Sequence, residues 1–339
     1  MAITRRNLIK HSGLASLAAL GGGWSALAHA GERLIPWRNW SGGQACVPEA
    51  RLAPRDEVEL AEMVKGATGN VRAVGSGHSF SPLVPTDGTI VSLSNLPAGV
   101  IGHNASALTA EIWAGTRIAD LGAPLKAIGQ ALPNMADIDY QTLAGAISTS
   151  THGTGPKYGS YSTRVIGLRM VTAKGEILDV DTQNHPEIFG AARVSLGALG
   201  VVTRVRLQNR KAFRLHRREW VADVEDLLAQ MPQLIAENDH FEINALLHSD
   251  VAVATALNEA TDNRTIEKEM GGDVAKVKLL QIVDRWAGDT DGLQAALLNF
   301  TAKHLISFPE VIDDSWKVFA NVRDVRFNEM EYSVPAEAG

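Results

Sequence analysis

The sequence predicts an α+β protein with two mixed domains that meet near residue 210. A chain of 339 residues, 45% of them hydrophobic, is long enough to bury a full core and is typical of two domains. Patterns typical of helices and of strands are mixed along the whole chain, and the pattern of predicted elements changes near residue 210. We find no internal repeat and no long linker in the sequence.

The elements before residue 210 follow from hydrophobic spacing and turn residues. A helix is predicted at 56–67, where Leu60 and Val64 fall on one side among charged residues. Pro186 near a first turn and Gly200 as a stop predict another helix at 186–199. A third helix is predicted at 117–128, with one break at Pro124, and strands are predicted at 71–78, 89–93, 108–114, 167–171, 176–180 and 201–207. The strands at 167–171 and 176–180 are expected to form a hairpin about Lys174-Gly175.

The elements after residue 210 have the same mixed character. A strand at 213–220 leads to a helix at 224–237, and strands follow at 241–247 and 251–257. Further helices are predicted between residues 276 and 305, and a final strand is predicted at 325–334. This half therefore reads as a second mixed domain.

Composition excludes several classes of function. The net charge of −6 gives no reason to expect nucleic acid or an anionic membrane as a partner. Cys46 is the one cysteine of the sequence, so an intrachain disulfide and a multi-cysteine zinc or iron–sulfur site are excluded. We therefore predict no metal site.

The first 30 residues have the pattern of a targeting segment. Arg5-Arg6 precedes a run of apolar and small residues, and Ala28-His29-Ala30 has the form of a signal-peptidase site. The apolar run is too short and too rich in glycine for a stable membrane span. The paired arginines resemble a twin-arginine (Tat) export signal more than an ordinary secretory signal. We expect export by the Tat machinery, a mature chain that begins near Gly31, and a periplasmic or secreted protein.

The loop after the strand at 71–78 has the composition of an anion-binding turn. Gly75 and Gly77 lack a Cβ, so successive backbone N–H groups can approach a phosphate or pyrophosphate closely. His78 follows at the place where such a ligand would lie. The loop is not a Rossmann fingerprint, because Phe80 stands where a third glycine is needed and Pro82 breaks the chain there. Taken alone, the loop is better explained as an ordinary turn with a structural histidine.

A second unusual segment covers residues 141–155. It is dense in hydroxyl groups and small residues, which would let a backbone approach a flat ligand and hydrogen-bond to it. The alternative is a Ser/Thr-rich loop with one structural histidine, His152. The residues of this segment alone do not separate the two.

The two segments together resemble the FAD-binding PCMH-type domain of the vanillyl-alcohol-oxidase (VAO) flavoproteins. The sequence GSGHSF at 75–80, followed by TLAGAISTSTHGTG at 142–155, is most similar to the aldonolactone oxidase branch, with alditol oxidases close by. The stretch at 194–203 resembles the turn by which this domain closes on the adenine–pyrophosphate end. The resemblance implies an FAD domain at 37–209 and a mixed α+β substrate cap, resembling D-arabinono-1,4-lactone oxidase, at 210–339.

The resemblance also implies how FAD is held. His78 matches a histidine that in many relatives is bonded covalently to the flavin 8α-methyl group. Relatives that hold the flavin by two covalent links also use a cysteine near the second segment. This sequence has no cysteine there, so only a single histidyl link is available. The other matching cofactor-binding positions are Gly75, Ser76, Gly77, Ser79, Thr142, Gly145, Ser148, Thr149, His152, Gly153, Gly155, Gly200 and Val201.

The implied activity is FAD-dependent oxidation of an alcohol carbon on a sugar lactone, with electrons passed to O₂ or to another acceptor. A polyol oxidase and an inactive FAD-binding protein are the alternatives. Residues 327–335 resemble the family strand that returns toward the flavin. The Glu-x-Arg and His-Trp-Gly-Lys-like motifs that the family carries later do not occur after Pro335, so the cap is expected to be incomplete and no catalytic base is assigned.

Overall fold

The computed structural model of the chain describes residues 34–269, 272–287, 292–322 and 325–335. The predicted signal segment at 1–30 lies outside the described residues. The elements up to residue 211 are short strands and helices. The first helix, α1, is capped by the Asp56 side chain, which accepts a hydrogen bond from the Glu59 N–H. Their bounds are β1 Trp37–Arg38, β2 Ala45–Cys46, β3 Ala50–Leu52, α1 Glu57–Gly66, β4 Val71–Val74, β5 Thr89–Ser92, β6 Val100–Asn104, β7 Thr109–Trp113, α2 Gly122–Ala127, β8 Gln130–Ala131, α3 Leu143–Ser148, β9 Val165–Val171, β10 Ile177–Asp181, α4 Pro186–Ala192, β11 Val201–Gln208 and β12 Arg210–Lys211.

Two sheets carry most of this first half. In the smaller sheet, β5 lies between β3 and β4 and is parallel to both. The larger sheet is antiparallel in the order β10-β9-β11-β7-β6, so the predicted hairpin at Lys174-Gly175 is confirmed by the β9–β10 pairing. Two short pairs, β1–β2 and β8–β12, also form.

The second half contains one antiparallel sheet with helices beside it. The order of its strands is β14-β15-β13-β16, and α5 packs on one of its faces through Leu227 and Leu234, against Trp220 and Phe241. The bounds are β13 Arg214–Asp223, α5 Val224–Glu237, β14 His240–Ala245, β15 Val251–Glu259, α6 Gly272–Ala287, α7 Leu293–Phe300, β16 Val311–Asp314 and α8 Ser315–Phe319.

One apolar core crosses from the first half into the second. It contains Leu168 and Val205 of the five-stranded sheet together with Leu215 of β13, Val318 and Phe319. The change from one sheet to the next falls between Lys211 and Arg214. The domain boundary near residue 210 stays a prediction.

Three sequence-based elements differ from the structure. The helix predicted at 186–199 ends at Ala192, and beyond it Leu196 and Gly197 take positive φ values of 52° and 76°, which a helix cannot contain. The helix predicted at 117–128 is a short 3₁₀ turn followed by α2, and Pro124 lies in the first turn of α2, where it is tolerated. The strand predicted at 325–334 is wrong, since residues 325–335 are irregular.

A buried carboxylate joins α1 to the five-stranded sheet. Glu57 accepts a hydrogen bond from the Thr203 hydroxyl at 2.6 Å and from Arg204 Nη2 at 2.7 Å, and Arg169 Nε lies 3.3 Å away. The Glu57 side chain is only 11% exposed. We expect Glu57→Gln to lower the free energy of unfolding by about 3 kcal/mol, because two arginines then lose their buried counter-charge.

Urea denaturation followed by tryptophan fluorescence measures this change. Glu62→Gln is the matched control, since Glu62 is exposed on the same helix and should change stability by less than about 0.5 kcal/mol. Equal stabilities for the two variants would show that the Glu57 contacts contribute nothing.

Candidate functional site

A cleft of about 370 Å³ opens between the two segments that the sequence singles out. This volume is in the range of pockets that hold small molecules. One wall is the loop at 75–79, and the other is the end of α3 with the residues before it. The predicted site residues that line the cleft are Gly75, Ser76, Gly77, His78, Ser79, Thr142, Gly145, Ser148, Thr149, Gly200 and Val201.

The two walls touch because glycine stands at position 75. A Cβ on Gly75 would collide with the Thr142 hydroxyl, which itself caps α3 by accepting a hydrogen bond from the Gly145 N–H at 3.3 Å. Ser76 Oγ donates to the Tyr140 carbonyl at 2.5 Å and ties the walls together a second time. Gly77 has φ +71°, a left-handed conformation that glycine takes without strain.

Trp40, which the sequence analysis did not single out, holds His78. The indole stacks on the imidazole with ring centroids 4.8 Å apart and planes 24° apart, and Tyr140 lies 6.5 Å away on a nearly parallel plane. The Trp40 N–H donates to the Gly77 carbonyl at 2.8 Å, and Asn39 Nδ2 donates to the Ser79 carbonyl at 3.0 Å. The turn between β1 and β2 therefore fixes the backbone and the ring of the glycine loop together.

The environment of His78 disfavours the charged form of its ring. Burial lowers the pKa of His78 below its usual value of 6.5, because the charged imidazolium is poorly solvated there. His78 Nδ1 is buried, and none of the described residues hydrogen-bonds to it. A neutral ring nitrogen without a protein partner is free to bond to another group.

The cleft residues fit FAD. The loop at 75–79 offers consecutive backbone N–H groups for a pyrophosphate, and Ser148 and Thr149 line the same space. Val201 and Val202 give the cleft an apolar side. A donor-rich loop next to an apolar wall suits a ligand that has an anionic centre and a flat ring system.

Three predicted cofactor residues do not lie in this cleft. His152 and Gly153 line a second cavity instead, and Gly155 (φ +104°) lies against the Asp239 carbonyl, which a Cβ at this position would meet. These residues follow α3, where the chain leaves the cleft and crosses to the sheet of the second half. Spacing along the sequence could not show that turn.

The segment at 325–335 returns to the first half of the chain. Phe327 packs edge-on against Trp40 at 5.3 Å and also contacts Phe80 at 5.6 Å. His152 Nε2 lies 2.8 Å from Glu331 Oε1. The Gly153 carbonyl, followed by the Glu331 carboxylate, raises the pKa of His152 above 6.5. The segment thus approaches the site as expected, although as an irregular chain.

The second cavity has a volume of about 150 Å³ and lies between the two halves of the chain. The first half contributes Met135, Asp137 and residues 152–154. The sheet of the second half contributes polar side chains, and the chain around α8 closes the cavity. These further lining residues are Arg217, Glu219, Glu242, Thr255, Leu257, Val318, Phe319 and Asn321.

Neither a metal site nor a membrane span is seen in the part of the chain that the structure describes. Its His, Cys, Asp and Glu side chains form no group of three or more that could hold a metal ion. No helix there is both long enough and apolar enough to cross a bilayer.

Comparisons with known proteins agree with this geometry. Residues 48–181 match the family profile described as an FAD binding domain, and residues 205–339 match the profile described as D-arabinono-1,4-lactone oxidase. The L-gulono-1,4-lactone dehydrogenase of Mycobacterium tuberculosis is 35% identical over 309 residues, which cover 89% of this chain and 71% of that protein. The chain belongs to the FAD-dependent aldonolactone oxidoreductase family. FAD is accordingly its cofactor.

Other family members match over a shorter span. The D-arabinono-1,4-lactone oxidase of Eremothecium gossypii is 36% identical over 202 residues, which cover 57% of this chain and 37% of the relative. The L-gulonolactone oxidase of Bos taurus is 30% identical, with 65% of this chain and 50% of the relative covered. The cholesterol oxidase of Brevibacterium sterolicum shares the fold, with a TM-score of 0.66 at 16% identity and coverage of 85% of this chain and 61% of that structure.

Proposed function

We propose that this protein oxidises an alcohol carbon of an aldono-1,4-lactone. The observation that carries the proposal is the cleft in which the glycine loop, His78 and the hydroxyl-rich end of α3 meet. The names of its relatives favour a lactone over an alditol as substrate. The match to both family profiles, together with the intact cleft, argues against an inactive protein.

The protein's own residues supply binding and orientation. The backbone at 75–79 would bind the pyrophosphate of FAD, and Ser148 would donate a hydrogen bond to the polar edge of the flavin. The Thr149 hydroxyl, which donates to the Gly145 carbonyl at 3.1 Å, would accept one. FAD, when bound, supplies the acceptor for the hydride that leaves the substrate carbon. Trp40 and Tyr140 would keep the His78 ring in one orientation beside it.

We also propose that His78 is the site of covalent attachment. A bond would form between a ring nitrogen of His78 and the 8α carbon of the flavin. The nitrogen and the carbon would each give up one hydrogen, and the two electrons released would pass to dioxygen, which leaves as hydrogen peroxide. The lowered pKa of His78 supports this role, since only the neutral ring has a free electron pair for the new bond.

The electron acceptor and the compartment complete the proposal. The relatives are named both dehydrogenase and oxidase, so O₂ and a further redox partner are both candidate acceptors.

The paired arginines Arg5-Arg6 support export by the Tat machinery to the periplasm. Fractionation of the producing cells checks this, and protein found only in the cytoplasm with residues 1–30 intact would contradict it.

A substrate panel tests the activity. Purified protein is assayed with L-gulono-1,4-lactone, D-arabinono-1,4-lactone, xylitol and sorbitol, and both H₂O₂ and the reduction of an artificial dye are followed. We expect turnover of at least one lactone at a kcat/KM ten or more times that of either alditol. Faster turnover of alditols, or no turnover by a flavin-loaded protein, would contradict the proposal.

A further inference from the structure

The described lining of the flavin cleft contains one residue with a charged side chain, Arg117. The glycine loop at 75–79 consists of glycines, serines and His78, and burial disfavours the charged form of that histidine. The pyrophosphate of FAD is anionic, whereas the backbone N–H groups of the loop donate hydrogen bonds without carrying a net charge. Arg117 is therefore the candidate counter-charge for the cofactor among the described residues of the cleft.

Backbone pairing places Arg117 directly opposite Thr142. The Leu143 N–H donates to the Thr116 carbonyl at 2.8 Å, and the Ile118 N–H donates to the carbonyl of the residue before Thr142 at 2.9 Å. Arg117 and Thr142 thus form an antiparallel bridge of the kind in which the two residues do not hydrogen-bond to each other. The side chains of such a pair leave the backbone on the same face and lie close together.

The position of Thr142 shows which face this is. The Thr142 side chain lies against Gly75, where an added Cβ would collide with the hydroxyl. The same segment meets the glycine loop a second time, because Ser76 Oγ donates to the Tyr140 carbonyl at 2.5 Å. Arg117 therefore leaves the backbone on the face where the glycine loop lies, and its long stem lets the guanidinium reach beyond the pair.

The guanidinium of Arg117 keeps donors for a ligand. Its Nε pairs with Asp120 Oδ2 at 3.1 Å, but both side chains are about half exposed, so this pair contributes little. Burial raises the pKa of the neighbouring Asp139 carboxyl group, and the charge of Arg117 opposes that rise. Neither carboxylate occupies the two Nη nitrogens, which hydrogen-bond to none of the described residues. Two such nitrogens side by side match two oxygens of a phosphate group.

We propose that Arg117 binds the pyrophosphate of FAD together with the glycine loop. The Nη groups donate to phosphate oxygens, and the backbone N–H groups of residues 75–79 donate to others. The inference rests on the part of the proposed function in which this loop binds the pyrophosphate, and it is independent of the substrate. Cofactor binding then has a component that depends on charge, so salt weakens it. ADP, which also carries a diphosphate, competes with FAD for the same site.

Equilibrium binding to apoprotein tests the inference without turnover. His78→Ala is the background, because its FAD should be exchangeable, and FAD, ADP and riboflavin are titrated calorimetrically. Arg117→Gln should weaken the binding of FAD and of ADP at least tenfold, and that of riboflavin, which has no phosphate, less than twofold. Arg117→Lys keeps the charge but loses the paired donors, so it should weaken FAD binding at least threefold. Raising the salt from about 0.02 M to about 0.5 M should narrow the difference in FAD affinity that Arg117→Gln causes.

Two controls separate ligand binding from local effects. Arg55→Gln is the matched control, because Arg55 is an exposed arginine that pairs with Glu59 at 3.1 Å and lies outside the cleft. Its FAD affinity should equal that of the background. The second control adds Asp120→Asn to Arg117→Gln. If Arg117→Gln acted only by leaving the Asp120 carboxylate without its partner, this addition would restore FAD affinity, whereas loss of a pyrophosphate contact leaves the double variant weak.

The outcomes separate this inference from the proposed function. A loss of FAD affinity below twofold in Arg117→Gln, an equal loss for riboflavin, or recovery in the double variant would overturn the inference. If thermal melting shows that Arg117→Gln does not fold, Arg117→Lys decides, and FAD affinity within twofold of the background would overturn the inference. Failure of the background protein to bind either FAD or ADP would overturn the role of the glycine loop and this inference with it. Lactone turnover by wild type is scored independently and tests only the proposed function.

Discussion

His78→Ala is expected to abolish covalent flavin while leaving FAD bound. On a denaturing gel the wild-type band should fluoresce under ultraviolet light and the His78→Ala band should be dark. The native variant should stay yellow, because the glycine loop, the Thr142 side and the wall at Gly200 still enclose the cleft. The reason is chemical: without the imidazole, no described side chain of the cleft provides a neutral ring nitrogen next to the glycine loop.

His103→Ala is the matched control, because His103 is exposed on β6, outside the cleft, and its loss should leave the fluorescent band unchanged.

The pH dependence of covalent attachment adds a second readout. Since the folded pKa of His78 lies below 6.5, its ring is mostly neutral above that pH. Attachment of FAD to apoprotein should therefore slow as the pH falls and the ring becomes protonated, and this loss should occur at a lower pH than the protonation of a solvent-exposed imidazole. A dark wild-type band from yellow native protein would contradict attachment at His78.

Gly75→Ala is expected to reduce the FAD content of the purified protein at least tenfold. The added Cβ would collide with the Thr142 hydroxyl, so the two walls of the cleft must move apart and the cap of α3 is disturbed. A tenfold loss corresponds to about 1.4 kcal/mol, a modest demand for a steric conflict of this kind. The ratio of flavin to protein absorbance measures the effect.

Two further variants sharpen this result. Gly190→Ala is the control, because nothing lies within 4 Å of the position that its Cβ would occupy. Adding Thr142→Ala to Gly75→Ala removes the colliding hydroxyl and should restore part of the FAD content. Full FAD content in Gly75→Ala alone would show that the close approach of the walls is not needed for binding.

The local chemistry of the flavin cleft could be predicted from the sequence. The glycine at 77 permits the left-handed turn that the structure shows (φ +71°), because the conformational freedom of glycine belongs to the residue itself. The same holds for the helix at 224–237, whose bounds agree with the structure, and for the hairpin at Lys174-Gly175. These features depend on residues close together in the chain.

The predictions that were wrong depend on contacts between distant residues. The helix expected at 186–199 ends early, where the chain turns at Leu196 and Gly197 to line the cleft. The segment at 325–335 alternates like a strand, yet Phe327 packs between Trp40 and Phe80 and the segment pairs with no strand among the described residues. In both cases tertiary packing overrides the local pattern.

The sequence by itself determined the glycine loop, His78 as the candidate attachment residue and the family, because each is carried by residue types whose chemistry is local. Only the tertiary structure decided that Trp40 stacks on His78, that His152 leaves the cleft, and that Arg217, Glu219 and Glu242 meet in one cavity. Side chains on separate strands share a face only through sheet register, and register is set by the packing of the whole domain.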